Sequence, residues 1–384
     1  MTNGWLANTG FWRGTVLTAA TLSGLAALAW ASPAMYTVPH YRPFATWIGL
    51  MRSRVVIYNP GVTGYYERLF GAPHPIFMNE REFDVWSKAA QDVIYDRTIR
   101  MRRFRPNLTE LHNSSQPQGL TTNSFGFLGP ERSLHKPPNT RRVAVLGDSV
   151  AQGWGVDQRR SFVSLLEDRL NAERPAGLSH RFEVLNFAVT GYELPQILDV
   201  AEEDVPRFEP DVCILALTEL AVFRTWDEHL AWAIRLGIDP KYDSLRETIS
   251  RSGASRDDGP LVLFGKLAPF RIPVVQAILA EMKLRALRSQ VPFLVVLVPS
   301  LEDGGMSRKR FSGIPELLAS LNIPVVDLQD TFDGILDLEP LRINPFDVHP
   351  SARAHAMILE NLYAKLRAQP DVWTALVGTA PPAF

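Results

Sequence analysis

The sequence of 384 residues contains a single cysteine and almost no net charge. One cysteine excludes an internal disulfide, and Cys213 lies in an apolar run, which favours a small core residue over a thiol nucleophile. The formal net charge of −1 argues against general nucleic-acid binding, because that function needs a basic surface. No cysteine and histidine residues have zinc-site spacing, and no motif implies an organic cofactor, so we expect the protein to need neither.

Long uncharged runs are scarce too, with one exception near the N-terminus. Residues 14–31 carry no charge, follow Arg13 and end in Ala-Trp-Ala. This pattern is typical of a secretory signal peptide, although about 18 uncharged residues are also just long enough to span a membrane. We therefore predict an exported protein, periplasmic or membrane-anchored and facing outward. Residues 1–31 are then either a cleaved signal peptide or a membrane tether; a buried core helix is the alternative.

Regular periodicity is also missing from residues 32–140, where prolines, glycines and many aromatic residues interrupt the pattern. We expect an irregular N-terminal extension that packs on the main domain. Its only basic cluster is Arg-Met-Arg-Arg-Phe-Arg at 100–105. Contact with an anionic substrate or with lipid headgroups is one interpretation of this cluster, but a solvated face is favoured.

From residue 141 onward, short apolar runs alternate with helical patterns. Five strands are predicted, at 142–146, 182–187, 211–217, 291–298 and 323–328. The clearest helices are predicted at 161–174, 194–204 and 274–289, with another after Ser351. Strands that alternate with helices indicate a parallel sheet covered on both faces, and such sheets bind ligands beyond the C-terminal ends of their strands.

Residues 223–267 interrupt this alternation and are interpreted as an insertion. A helix is predicted at 226–235, and a polar stretch follows at 250–260. A segment of this kind either covers a site or is disordered in its middle. The main domain is expected to cover 141–372, and residues 373–384 to form a C-terminal tail.

A serine follows the first of these strands, in the motif Gly147-Asp148-Ser149. Backbone N–H groups are unpaired at the start of a helix, and the helix dipole favours negative charge there. A nucleophilic serine and a developing oxyanion both need such a position. Ser149 is therefore a candidate nucleophile; the alternative is a helix N-cap, a common role for serine.

Asp347 and His349 lie about two hundred residues downstream, just ahead of the last helix. If the backbone turns suitably, Asp347 holds one imidazole nitrogen of His349 while the other nitrogen faces a serine. His355 is the competing base, but it lies within the helix and near its apolar stripe. Because no carboxylate is placed to orient it, we interpret His355 as a packed structural histidine.

These features resemble the SGNH/GDSL hydrolase family over roughly residues 141–369. The resemblance is carried by Gly147-Asp148-Ser149, Asn186-Phe-Ala-Val-Thr-Gly191 and Asp347-Val-His349-Pro350. The segment Asn123-Ser-Phe-Gly-Phe-Leu-Gly-Pro-Glu131 is similar to the lead-in of exported or membrane-tethered bacterial members. The two-residue spacing of Asp347 and His349 resembles the carbohydrate O-acetyltransferase-like branch, whereas many members place the acid where this chain has Phe346.

The resemblance implies a flavodoxin-like, three-layer α/β/α fold with a parallel sheet of about five strands. It also implies acyl-ester chemistry, with Ser149 as nucleophile, His349 as general base and Asp347 as orienting acid. The backbone N–H groups of Ser149 and Gly191 would form the oxyanion hole.

One departure concerns the turn after the third strand, where the family has an asparagine that donates to the oxyanion. That position falls near Leu220, so Thr218 or another group substitutes, or the enzyme is slow, or catalysis is lost. Loss of one such donor costs roughly 10²–10³-fold in turnover. Asp148 is interpreted as a loop cap and not as the catalytic acid.

The sequence thus predicts a serine esterase that hydrolyses or transfers a small acyl group. Its partner would be an acylated carbohydrate or lipid of the cell envelope. The alternative is a non-catalytic carbohydrate-binding or assembly protein on the same fold.

Overall fold

The computed structural model describes residues 92–109, 121–223, 226–301, 306–344 and 347–378. The chain divides into the units Met1–Arg68 and Leu69–Phe384, and every described residue belongs to the second unit. The predicted leader, all of the extension before residue 92, residues 110–120, the position of Phe346 and the last residues of the tail lie outside the described residues.

The described chain begins with an antiparallel hairpin, β1 (Val93–Tyr95) and β2 (Arg102–Phe104). A parallel sheet follows, formed by β3 (Thr140–Gly147), β4 (Arg181–Asn186), β5 (Val212–Thr218), β6 (Phe293–Val298) and β7 (Val325–Asp327). Near the C-terminus, β8 (Arg342–Asn344) pairs antiparallel with β9 (Asp347–Pro350).

The order of the parallel strands is β4-β3-β5-β6-β7. Counted within the sheet this is 2-1-3-4-5, the flavodoxin-like order, whose ligands bind where the strand order reverses. That reversal lies at β3, between its neighbours β4 and β5. The predicted fold class is confirmed, and the five strands predicted from the sequence are those of the sheet.

The α-helices of the described chain are, in order, α1 (Ser149–Gln152), α2 (Phe162–Ala172), α3 (Leu194–Glu203), α4 (Glu219–Phe223), α5 (Trp226–Arg235), α6 (Asp243–Ser252), α7 (Pro260–Leu267), α8 (Arg271–Ser289), α9 (Met306–Arg310), α10 (Ile314–Ser320), α11 (Ala352–Arg367) and α12 (Pro370–Val377). Short 3₁₀ turns lie at Gln158–Arg160, Val205–Phe208, Ala268–Phe270 and Glu339–Leu341.

The sheet is buried on both faces because its strands are apolar at consecutive positions. In β3, Val143 and Val145 pack in one cluster with residues of α2, α11 and α12. Ala144 and Leu146 are equally buried and, by the alternation of a strand, point to the opposite face. Contacts with α3, which itself packs on α8, cover that face. The result is the three-layer arrangement that the sequence predicted.

The segment predicted as an insertion is mostly helical in its described residues. The helix predicted at 226–235 is present as α5, and the polar stretch at 250–260 is the end of α6 and a short turn into α7. Among the described residues, the run Pro260–Ser289 is long and apolar enough to cross a membrane, judged by length and composition alone. Core helices of soluble proteins meet the same criterion.

A fully buried arginine joins the two strands on which the site depends. Arg142 of β3 is 0% exposed, and its Nε donates to Glu183 Oε2 of β4 at 2.9 Å. Its Nη1 donates to the carbonyl oxygens of Leu134 and Phe208, at 2.8 and 2.7 Å. These bonds replace the hydration that the guanidinium loses on burial.

Replacing Arg142 by methionine keeps much of its apolar volume but removes all of these donors. We expect Arg142→Met to lower the free energy of unfolding by about 3 kcal/mol, because it leaves the buried carbonyls of Leu134 and Phe208 without these donors and Glu183 with only Arg132 and Arg181 as partners. Urea unfolding followed by circular dichroism measures this. Arg159→Met is the control, since that side chain is 89% exposed and should leave the midpoint unchanged. If wild type and Arg142→Met unfolded at the same urea concentration, the idea that Arg142 stabilises the pairing of β3 with β4 would be contradicted.

Candidate active site

Ser149 is the first residue of α1, directly after β3. Asp148 is its N-cap, and the Asp148 carboxylate accepts from the Val150 N–H at 2.9 Å. The turn needs glycine at 147, since a Cβ there would lie 2.6 Å from Ala151 Cβ and 3.0 Å from the Ala216 carbonyl oxygen. The chain therefore passes from strand to helix within two residues, with the serine 2% exposed at the strand end.

The structure brings Ser149, His349 and Asp347 together in one chain of hydrogen bonds. Ser149 Oγ lies 2.7 Å from His349 Nε2, and His349 Nδ1 lies 2.5 Å from Asp347 Oδ1. The carboxylate also accepts from the backbone N–H of His349 at 3.0 Å. With Nδ1–H donated to Asp347, Nε2 is the acceptor for the Ser149 hydroxyl.

The two-residue spacing of acid and base has a simple structural reason. Asp347 and His349 both belong to β9, and residues two apart in a strand project from the same face. The short pairing of β9 with β8 holds this extended conformation just before α11 begins. An acid one position earlier would project from the other face of such a strand.

The electrostatics of the pair suit an ionised acid. Burial raises the pKa of the Asp347 carboxyl, but the hydrogen bonds and charge of His349, with a hydrogen bond from the Trp154 side chain, lower that pKa below its ordinary value. Trp154 is 1% exposed, and its ring lies 6.4 Å from the His349 ring, centroid to centroid. An ionised Asp347 can stabilise an imidazolium at His349.

The two N–H groups predicted for the oxyanion hole are available. Within the described part of the chain, neither the Ser149 nor the Gly191 N–H donates to a protein acceptor. Gly191 has φ +67°, a left-handed conformation that favours glycine. A backbone N–H that is unpaired and fixed in advance is what an oxyanion requires.

Thr218 does not fit the role of substitute donor that its position suggested. Its hydroxyl donates to Asp148 Oδ2, so its proton is engaged away from the hole. Burial raises the pKa of the Asp148 carboxyl, against the hydrogen bonds from Thr218 and Val150. Asp148 is thus the loop cap that the sequence indicated.

His355 is packed in the core, as expected. It is 0% exposed, its Nδ1 accepts from the Phe162 N–H at 3.3 Å, and its ring stacks on the Phe162 ring. Burial lowers the pKa of His355 to about 3, so its imidazole is neutral. His349, not His355, faces the serine.

The prediction of a solvated face for the basic cluster at 100–105 is wrong for its first two arginines. Arg100 bridges Asp199 and Asp204 at 2.7 and 2.6 Å, and Arg102 is 6% exposed. Sequence reasoning assigned no role to Arg102, Trp154 or Gln152 near the site. The sequence does give one signal for Gln152 and Trp154, because both lie close to the serine motif. It gives none for Arg102.

One acidic group has the spacing of a metal site, but cations already compensate its charge. Oxygens of Asp199, Glu202 and Glu203 lie within 4.8 Å of one another. The Lys241 ammonium lies 2.8, 3.1 and 2.6 Å from these three carboxylates, and Arg285 lies 2.7 Å from Glu202. We interpret the group as an ion-pair network between α3 and its neighbours.

No family model and no curated protein matches this chain. Solved structures to which this chain is similar include TesA. That match has a TM-score of 0.40 and 17% identity, and it covers 59% of this chain and 99% of TesA. Esterase EstA from Pseudoalteromonas sp. matches with a TM-score of 0.39 and 15% identity, and the match covers 60% of this chain and 99% of EstA. The acetylxylan esterase Axe2 from Geobacillus stearothermophilus matches with a TM-score of 0.40 and 16% identity, and the match covers 59% of this chain and 94% of Axe2.

The flavodoxin-like fold expected from the sequence motifs is confirmed by the order of the parallel strands, and Ser149 follows β3. Membership of the SGNH/GDSL family and of its exported branch stays a prediction. The chemistry of the site rests on the geometry of Ser149, His349 and Asp347.

A neutral His355 has a measurable consequence for folding. Its pKa is lower in the folded chain than in the unfolded chain, so the unfolded chain binds the extra proton and stability falls as pH drops below about 6.5. Between pH 7 and pH 5 this costs about 2 kcal/mol. His355→Gln keeps an acceptor for Phe162 but cannot titrate, so its urea-unfolding free energy should fall less over that range. An identical pH dependence in both proteins would contradict a neutral His355.

Proposed function

We propose that this chain is a serine esterase of the SGNH type. The observation that carries the proposal is the continuous hydrogen-bond chain from Ser149 through His349 to Asp347. The unpaired N–H groups of Ser149 and Gly191 support it, because they supply the electrostatic stabilisation that acyl transfer needs.

The proposed reaction has two steps. His349 Nε2 takes the proton from Ser149 Oγ as that oxygen attacks the acyl carbonyl, and Asp347 stabilises the resulting imidazolium. Collapse of the tetrahedral intermediate breaks the ester bond, and His349 returns the proton to the departing alcohol. Water or an acceptor hydroxyl then attacks the acyl-enzyme, with His349 again as base, and releases Ser149.

The proposed substrate is a small acyl ester, such as an acetyl group, on a carbohydrate or lipid of the cell envelope. The two-residue spacing of Asp347 and His349 supports this, since it resembles the exported O-acetyltransferase-like branch of the family. The acceptor, water or a sugar hydroxyl, decides between an esterase and an acyltransferase. The uncharged run at 14–31 supports export, with the N-terminal segment as a tether if it is not cleaved.

A non-catalytic carbohydrate-binding or assembly protein is the second candidate function. It is favoured by Leu220 near the position of the family asparagine, and by the engagement of the Thr218 hydroxyl with Asp148. In that case the fold would bind a ligand without turning it over.

A fluorophosphonate probe separates these two functions, because labelling needs an activated serine but not the natural substrate. The wild-type chain should be labelled at Ser149 and should hydrolyse p-nitrophenyl acetate. Ser149→Ala should abolish labelling and lower hydrolysis by at least about 10³-fold. Ser179→Ala, on an exposed surface residue, is the control and should behave as wild type. If Ser149→Ala hydrolyses as fast as wild type, the serine is idle and the binding function is favoured.

Export is tested separately from catalysis. Residues 1–40 fused to a reporter that works only outside the cytoplasm should give a signal. N-terminal sequencing of the exported chain should begin at Ser32 if the leader is cleaved after residue 31, and at the original N-terminus if the leader is a tether. A chain that is retained and fully active in the cytoplasm would contradict the proposed location.

A further inference from the structure

The peptide group between Thr190 and Gly191 carries one N–H of the proposed oxyanion hole, and its carbonyl oxygen accepts a hydrogen bond from a buried arginine. Arg102 Nη2 donates to the Thr190 carbonyl oxygen at 2.6 Å. Both residues are buried, Arg102 at 6% and Thr190 at 1% exposure. In a trans peptide the C=O and the N–H point in opposite directions. The guanidinium therefore lies on the side of this peptide opposite to the oxyanion.

A cation at the carbonyl end changes the N–H end of the same peptide. Hydrogen bonds from a charged donor are roughly twice as strong as neutral ones. Because the peptide is conjugated, drawing electron density to the oxygen makes the N–H a stronger donor, and chains of hydrogen bonds strengthen by about 10–30% per bond. The low dielectric of a buried site increases the effect.

The hairpin of β1 and β2 brings Arg102 to this place. Arg100 anchors the hairpin to α3 through Asp199 and Asp204, and Gln196 Nε2 donates to the Arg100 carbonyl oxygen at 2.8 Å. The Tyr192 hydroxyl donates to the Arg102 carbonyl oxygen. Arg102 thus contacts the residues on both sides of Gly191, through its side chain on one side and its backbone on the other.

A second buried side chain fixes the neighbouring peptide. The Thr190 N–H donates to Gln152 Oε1, and Gln152 is the last residue of α1, which begins with Ser149. The loop that carries Gly191 is therefore tied to the helix that carries the other oxyanion donor. Such ties keep the two N–H groups at a fixed separation, which preorganised catalysis requires.

We propose that Arg102 is a positioning residue of the oxyanion hole: it orients and polarises the Thr190–Gly191 peptide, and it offsets the missing asparagine donor. The proposal rests on the esterase function proposed above. Arg102 touches neither the substrate nor the reacting atoms, so its effect reaches the reaction through the Gly191 N–H.

The test compares Arg102→Met with Arg132→Met in the full chain. Both remove an arginine that is largely shielded from solvent. Arg102 donates to the Thr190 carbonyl oxygen, whereas the Arg132 side chain, 14% exposed, pairs with Glu167 and Glu183. With p-nitrophenyl acetate, Arg102→Met should lower kcat by about 10- to 100-fold, less than the loss of a complete donor, and change KM within about twofold. Arg132→Met should keep the wild-type kcat while losing stability in urea. Arg102→Lys should regain part of the lost kcat because it keeps a charged donor.

A transition-state analogue gives a readout that lost stability would not move. Phenylboronic acid forms a tetrahedral adduct on an active serine, with one oxygen in the position of the oxyanion. Its affinity should fall in Arg102→Met in the same proportion as kcat/KM, and should stay at the wild-type value in Arg132→Met. Should Arg102→Met not fold, the same two measurements on Arg102→Lys decide the question.

The outcomes distinguish the two proposals. If wild type is active and Arg102→Met has the same kcat and boronate affinity, or if Arg132→Met loses both equally, the positioning role of Arg102 is overturned and the esterase stands. If wild type neither hydrolyses the ester nor reacts with a fluorophosphonate at Ser149, the esterase proposal fails, and the role of Arg102 fails with it.

Discussion

The site depends on one constraint: the parallel strands of the sheet end at the same edge. Within the register, Val145 lies opposite Asn186, and Gly147 lies opposite Ala216. The segments that leave β3 and β4 therefore start side by side, and they carry Ser149 and Gly191. The histidine comes from 200 residues further along the chain. It reaches the same edge because α11, which follows β9, packs on α2.

Burial gives the two aspartates of the site opposite properties. Both Asp148 and Asp347 lose solvent, which raises the pKa of a carboxyl group. The hydrogen bonds and charge of His349 outweigh burial at Asp347, so the pKa of its carboxyl is lowered. At Asp148, burial outweighs the hydrogen bonds from Thr218 and backbone N–H groups and the charge of His349, so the pKa of its carboxyl is raised. Only Asp347 is then suited to face a developing imidazolium. Asp148 is the carboxylate next to Ser149 in sequence, but Asp347 is the one that binds His349. The partners of each aspartate, and not its distance from the serine in sequence, distinguish the two.

The sequence predicted the sheet because buried parallel strands are apolar along their whole length, and it predicted the triad because its motifs lie at strand and helix ends. It could not predict contacts made by tertiary packing. The sequence around the basic cluster at 100–105 does not show which carboxylates its arginines meet, so a solvated face is the prediction that it supports. Asp199 and Asp204, which bind Arg100, are about a hundred residues away. The engagement of Thr218 with Asp148 across strands was hidden for the same reason.

These contacts change where the proposed oxyanion hole is supported. In the relatives that the motifs resemble, a side-chain amide after the third strand completes the hole. Here the end of β5 instead supports the turn of the nucleophile, through Thr218 and Asp148. The remaining support comes from the other side, where Arg102 of β2 and Gln152 of α1 hold the two peptide groups around Thr190. A fragment that begins at residue 140 would keep the whole sheet and the triad but lack Arg102. If Arg102 positions the Thr190–Gly191 peptide as proposed, the functional unit therefore extends beyond the sheet to the hairpin at 92–104.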